Sequence, residues 1–150
     1  MDLEIRRAGE GDLQVLTDLE AVCFEGQDPW SRDAFFNEVV ENSDRTLYLV
    51  ALAGGVVGYM GVWMVLDEGD ITNVAVDPEF RRRHIAESLI EEMVRRTSED
   101  GITCWTLEVR VDNEAAIRLY EKMGFRAEGI RPKYYEYDGT DALIMWKGRE

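Results

Sequence analysis

The segment from Leu107 to Phe125 carries the residue types best suited to chemistry. Its pattern is that of a strand end, a polar turn, a short helix and a glycine stop. Glu108 falls at the strand end, Asn113 at the helix start and Tyr120 two turns into the helix. An acid, an amide and a phenol, the groups of proton transfer and hydrogen bonding, thus gather at one strand-to-helix corner, where α/β proteins commonly build sites. The same residues also fit quieter roles. Glu108 could pair with Arg110 or Arg118, Asn113 could cap its helix, and Tyr120 could join Ala116 and Met123 in the core.

A second cluster, Arg81, Arg82, Arg83 and His84, stands where another helix should begin. A helix N-terminus carries partial positive charge, so cations there are unfavourable by a few tenths to ~1 kcal/mol each. No Ser, Thr, Asp or Asn adjoins the run to cap the free amides, and Asp77 lies too early. A bound phosphate or pyrophosphate would accept the orphan amide hydrogens and neutralise the arginines. The alternative is a solvated basic turn, or arginines paired with surface carboxylates.

The elements that must position these clusters follow from periodicity. Leu3 to Arg7 alternates as an edge strand does. Asp12 is placed to cap a helix with Leu13, Leu16, Leu19 and Cys23 inward, and Ser31 to cap a second helix reaching about Asn42, with Phe35, Val39 and Phe36 inward. Thr46 to Ala53 and Val56 to Leu66 read as strands joined through Gly54 and Gly55. Gly58 and Gly61 interrupt the second of these and predict close packing or a bend. Asp70 to Val76 is a short apolar strand ended by Asp77 and Pro78. A helix follows from about Arg83 to Glu99, with Ile85, Leu89, Ile90 and Met93 inward. Thr103 to Val109 is a strand with Cys104 in its core, Asn113 to Met123 a helix, and Phe125 to Tyr137 with Asp141 to Trp146 a final hairpin. The order implies a mixed α/β domain built on one largely antiparallel sheet, and residues 1–150 suit a single domain.

Composition narrows the function classes. The formal net charge is -14. That argues against direct nucleic-acid binding, which needs a basic face; it would favour a cationic substrate, or serve only as a soluble acidic surface with no steering role. Cys23 and Cys104 show no metal spacing, no histidine or carboxylate cluster suggests a metal, and a reduced compartment is expected. There is no apolar signal segment and no membrane-length run, so the expected location is cytoplasmic, without membrane partners.

Together these segments resemble the GNAT superfamily of acetyl-CoA-dependent N-acetyltransferases. Ile71 to Val76 looks like its central strand, and Arg81 to Ala86 like its R/Q-x-x-G-x-G/A pyrophosphate loop. Asn113 to Tyr120, followed by Gly124 and Phe125, is similar to its second hallmark helix. Pro29 to Ser31, Leu107 to Arg110, Arg131 to Tyr135 and Asp141 to Met145 look like the RimI branch, which acetylates the N-terminal alanine of a small-subunit ribosomal protein. One position departs from the pattern: the loop's usual first glycine is His84, and Ala86 is an accepted variant. Histidine tolerates the left-handed backbone region better than most residues but adds bulk.

The resemblance implies a GNAT fold, with a parallel strand pair at the cofactor cleft and flanking helices. It implies acetyl-CoA as cosubstrate, no metal, and transfer in a ternary complex to the N-terminus of a protein, a basic ribosomal protein foremost. It assigns the base to Glu108 and the acid to Tyr120. Cofactor contacts fall to Val74, Ala75 and Val76, to Arg81, Arg82, Arg83, His84, Ile85 and Ala86, and to Asn113. Trp30, Tyr134 and Tyr135 would line the peptide groove. Two alternatives stay open: acetylation of a small cationic amine such as a polyamine, and an acetyl-CoA-binding module without turnover.

Overall fold

The computed structural model describes residues 2–148. Its elements run β1 (Glu4–Arg7), α1 (Leu13–Cys23), α2 (Arg32–Phe36), β2 (Thr46–Leu52), β3 (Val56–Val65), β4 (Glu68–Val76), α3 (Ile85–Glu99), β5 (Cys104–Arg110), α4 (Glu114–Lys122), β6 (Arg126–Tyr135) and β7 (Thr140–Lys147). The predicted order of strands and helices is the observed one. All seven strands form one sheet in the order β1-β2-β3-β4-β5-β7-β6. Every neighbouring pair is antiparallel except β4 and β5, which run parallel with α3 as their connection.

The helices bury one face each, on opposite sides of the sheet. In α3 the buried positions are Ile85, Leu89, Ile90, Met93 and Thr97, an apolar stripe at helical spacing. The four apolar ones join Met60, Val62, Ile71, Trp105, Leu107 and Val109 in the larger core, while Thr97 hydrogen-bonds within it. Helix α1 buries Leu13, Leu16 and Leu19, and these meet Phe35, Val39, Tyr48, Val50, Tyr59 and Ala75 in the second core. Ser31 caps α2 as predicted, its Oγ accepting from Ala34 N at 3.2 Å.

Several expectations are corrected. Asp12 does not cap α1; its carboxylate is taken by Arg6 and by Gly9 N. The helix capped by Ser31 does reach about Asn42 as predicted, but its second half, Asn37–Glu41, is π-helical. Phe36 lies on the surface, and Glu38 is buried in its place. Cys104 opens β5 and is only half-buried.

Two local irregularities shape the centre of the sheet. Parallel pairing of β4 with β5 covers only Glu68–Cys104, Gly69–Trp105 and Asp70–Thr106. Beyond Asp70 the two strands separate, leaving a cleft between the ends of β4 and β5. Within β4 the register against β3 shifts, with Gly61 opposite Asn73 but Val62 opposite Ile71. Thr72 is the extra residue of a β-bulge, so Thr72 and Asn73 together face Gly61.

Candidate active site

The bulge fixes which backbone groups enter the cleft. Asp77 N donates to Val57 O at 2.8 Å, so Val57 and Asp77 form a hydrogen-bonded pair. Antiparallel pairs alternate, and the register then turns the backbones of Ala75 and Asn73 toward β3. The N–H and C=O groups of Val74 and Val76 point the other way, into the cleft. Val76 O receives Arg81 Nε and Cys23 Sγ, each at 3.3 Å. Val74 and Val76 therefore present polar backbone where the resemblance puts the acyl and pantetheine arms. Ala75 turns its backbone toward β3 instead, and its methyl is buried in the second core.

The start of α3 forms one end of the cleft. His84 precedes the helix in the left-handed conformation, with φ 61° and ψ 21°, and no side chain caps the helix. Asp77 instead binds Glu79 N in the preceding turn. The first free intrahelical bond runs from Ser88 N to His84 O, which leaves the amides of Ile85, Ala86 and Glu87 without intrahelical acceptors. Arg83 lies over the Phe80 ring at 5.1 Å, and among the described residues no carboxylate pairs with Arg81, Arg82 or Arg83. A cavity of about 320 Å³ opens here, lined among others by Val76, Arg81, Arg82, Ala86 and Leu119.

His84 takes the backbone shape for which glycine is usual. Its ring leans away along the helix, with Nδ1 2.9 Å from Glu87 Oε2. The other oxygen of Glu87 meets Lys122 Nζ of α4 at 2.6 Å. These partners hold the Glu87 carboxyl below the usual range, Lys122 first and His84 second. The bulk of the histidine is thus directed at a carboxylate bridge between α3 and α4.

Glu108 belongs to the opposite face of the sheet. Leu107 and Val109 enter the larger core, so Glu108 points toward the side of α1 and α2. Its Oε1 lies 3.3 Å from Arg131 Nε of β6. Neither Arg110 nor Arg118, the alternative partners the sequence offers, pairs with it. Arg110 binds Asp138 and Asp112, and Arg118 binds Glu114. Asp70 shares the neighbourhood of Glu108: its carboxyl is held above the usual range by burial first, then by the charges of Glu108 and Glu68. Tyr134 is exposed on β6, and its phenol is raised by burial and by Glu108. It packs edge-on against Tyr135 at 5.0 Å, whose phenol is pushed up to about 12, by burial first.

Tyr120 is buried against Phe125, with ring centroids 5.8 Å apart. Burial, and then Tyr135, raises its phenol well above the ordinary range. No buried side-chain polar atom among the described residues lacks a partner, and no described residue hydrogen-bonds the Tyr120 hydroxyl, so that group retains contact with solvent. Asn113 caps α4, its Oδ1 accepting from Ala116 N at 3.1 Å. Trp30 packs on Phe35 at 5.4 Å and donates its backbone N–H to Glu20 Oε2 at 2.9 Å. Among the described residues no group of three or more His, Cys, Asp or Glu side chains is arranged to hold a metal ion.

Reading by residue type missed Asp70, Arg131 and a buried polar network beneath the bulge. Glu20 and Glu38 carry no flag in the sequence, since each sits among helix positions where a surface glutamate is unremarkable. Gly61 was the one signal: its strand position predicted close packing, and Tyr48 is the group that packs there.

The acetyltransferase (GNAT) family model matches residues 13–125. The chain is 37% identical over 139 residues to the N-alpha-acetyltransferase RimI of Mycobacterium tuberculosis, covering 89% of this chain and 85% of that one. It is 38% identical over 120 residues to the [ribosomal protein bS18]-alanine N-acetyltransferase of Salmonella typhimurium, covering 78% and 79%. The crystal structure of the ribosomal-protein-S18-alanine N-acetyltransferase from Escherichia coli superposes with a TM-score of 0.87 at 32% identity, over 97% of this chain and 93% of that one.

Proposed function

The chain belongs to the GNAT family of acetyltransferases, and from that premise we propose that it carries the acetyl group of acetyl-CoA to the α-amine of a protein N-terminus. The favoured acceptor is the N-terminal alanine of ribosomal protein bS18, on which its relatives act by name. One observation carries the reading: the opened β4–β5 pair joins an anion-seeking corner at α3 to a proton acceptor, Glu108, on the other face of the sheet.

The residues present suit coenzyme A. The uncapped amides of Ile85 and Ala86, with Arg81, Arg82 and Arg83, which no described carboxylate neutralises, would hold a pyrophosphate. The backbone edges of Val74 and Val76 would hold the pantetheine arm, and Asn113 would contact it from α4. Acetyl-CoA supplies an activated acyl group on a thiol leaving group.

Each protein group then has a limited task. Val74 N–H would donate to the negative charge developing on a carbonyl oxygen. Glu108 takes a proton from the attacking amine, directly or through water. An α-amino group has pKa ~7.7–8.0, so roughly a tenth is neutral at pH 7 before any help. Tyr120, protonated throughout the neutral range, gives a proton or a hydrogen bond to the departing sulfur, which at a thiol pKa of ~8.5 needs little assistance. Trp30, Tyr134 and Tyr135 line the peptide side. Burial raises the Cys23 thiol, which does not suit a nucleophile and favours direct transfer between the two bound substrates.

The test is incubation with acetyl-CoA and a peptide beginning Ala-Arg, followed by mass spectrometry. One acetyl group on the α-amine is expected, with spermidine and an N-terminally blocked lysine peptide left unmodified. Failure to acetylate any free N-terminus would overturn the reading.

A further inference from the structure

Tyr48, Gly61 and Asn73 stand in register across β2, β3 and β4. The Tyr48 side chain runs over Gly61, and its hydroxyl reaches the bulge. It lies 3.0 Å from Thr72 Oγ1, 3.3 Å from Asn73 Oδ1 and 2.9 Å from Glu38 Oε1. Glu38 comes from the π-helical turn after α2 and also accepts from Trp63 Nε1 at 2.6 Å. On the other side, Asn73 Nδ2 donates at 3.3 Å to Glu20 Oε1, which also takes the Tyr59 hydroxyl.

Burying two carboxylates is expensive unless every lone pair is used. Here both are buried, and each takes one donor tied to the bulge, Glu38 through Tyr48 and Glu20 from Asn73, beside donors from Trp63, Tyr59 and Trp30. Neither Glu20 nor Glu38 enters the acetyl-transfer steps above. An apolar core of the same shape would fold without them. A bulge, however, is the point where a strand's amide directions are set, and Val74 follows it directly.

We propose that Tyr48, oriented by Glu38, is a positioning residue for acyl transfer: by holding the Thr72 hydroxyl at the bulge it fixes the direction of Val74 N–H in the cleft. The inference rests on the acetyl-transfer reading. The hydroxyl touches no reacting atom. It acts through the backbone, so removing it leaves substrate binding in place and loosens the donor that meets developing charge. Misplacing such a donor by a fraction of an ångström to 1 Å is the kind of change that lowers turnover roughly 10- to 100-fold.

The experiment uses Tyr48→Phe and Thr72→Val in the full chain. For both, kcat is expected to fall roughly 10- to 100-fold, with KM for acetyl-CoA and for peptide held within about twofold. Glu38→Gln, which keeps an acceptor for Tyr48 and Trp63, is expected to retain most of the activity. A second readout needs no acceptor: the carbonyl ¹³C shift of bound acetonyl-CoA, the ketone analogue of the thioester. Polarisation by an amide moves this signal downfield in the wild type, and both variants should lose part of the shift. Thr72 is exposed and its valine variant is isosteric, so it answers the question if Tyr48→Phe fails to fold. Wild-type kcat and an unchanged carbonyl shift in Thr72→Val would overturn the proposal. Absence of acetylation by the wild type would instead strike the acetyl-transfer reading, with the carbonyl shift still deciding the role of Tyr48.

Discussion

Tyr48 and Gly61 fit together so closely that a Cβ built on Gly61 would stand 2.2 Å from Tyr48 Cζ. The ring occupies the space over β3 that any other residue would claim. Gly61 has no positive φ among the glycines that do, so its requirement is space, not backbone freedom. Through it a tyrosine of β2 reaches two strands across, to the bulge of β4.

Gly61→Ala should therefore be costly. Tyr48 is fully buried, and its ring has neighbours on every side, Phe35 among them at 6.4 Å. The ring must shift, and its hydroxyl then leaves Glu38, which keeps only Trp63 as a side-chain donor. Overpacking together with a lost buried hydrogen bond is worth about 2–4 kcal/mol. Urea unfolding should show that loss, and a variant as stable as the wild type would mean the ring can move aside freely.

Much of this was legible in the sequence, and what escaped shares a cause. The apolar stripe of α3, the strand order and the glycine stop after α4 are periodic signals, repeated over several residues. The arginine run announced itself by carrying the wrong charge for a helix start. Glu38 and Glu20 gave no such signal, because burial is decided by what packs over a helix and not by the helix's own pattern. Arg131 as the partner of Glu108 depends on β7 lying between β5 and β6, an order no local pattern records. Asp12 stands at the cap position of α1, but the Arg6 guanidinium, six residues before it on β1, takes its carboxylate.

Glu108→Gln should lower kcat/KM for an Ala-Arg peptide by roughly 10²- to 10⁴-fold near neutral pH. The deficit should be largest below the α-amine pKa of ~7.7–8.0, where most amine still carries its proton. Above it the amine is neutral unaided and the variant should approach the wild type. Parallel pH–rate profiles for the two proteins would remove Glu108 from the role of base.

His84→Gly tests the cofactor loop's departure from its family pattern. The backbone at His84 already has the left-handed angles glycine prefers, so the substitution needs no rearrangement and removes the strain of a side chain there, about 1 kcal/mol. Acetyl-CoA affinity by calorimetry should be unchanged or tighter, while His84→Val, β-branched and ill suited to positive φ, should weaken it. A large loss in His84→Gly would show that the imidazole, or the Glu87 it orients, contributes to binding.

Asp12 links β1 to α1. Its two oxygens each lie 2.9 Å from an Arg6 nitrogen, and Oδ2 also accepts from Gly9 N at 2.8 Å. The Arg6 hydrogen bonds, the largest influence, hold its carboxyl below the usual range against the opposing effect of burial. A carboxyl whose pKa is lower in the folded than in the unfolded chain stabilises the fold fully above the unfolded value of ~3.9, and that stabilisation is lost as pH falls through the folded value. Arg6 is 42% exposed, so solvent screening keeps the contribution of the bridge to about 1–2 kcal/mol. Asp12→Asn should be less stable than the wild type by that amount near pH 7. The gap should narrow as pH is lowered below the unfolded value and through the lower folded one, because the wild type loses its ion pair there and the amide has none to lose. Urea unfolding across that range reads both effects, and a gap that stays constant would mean that Asp12 acts through Gly9 and packing rather than through its charge.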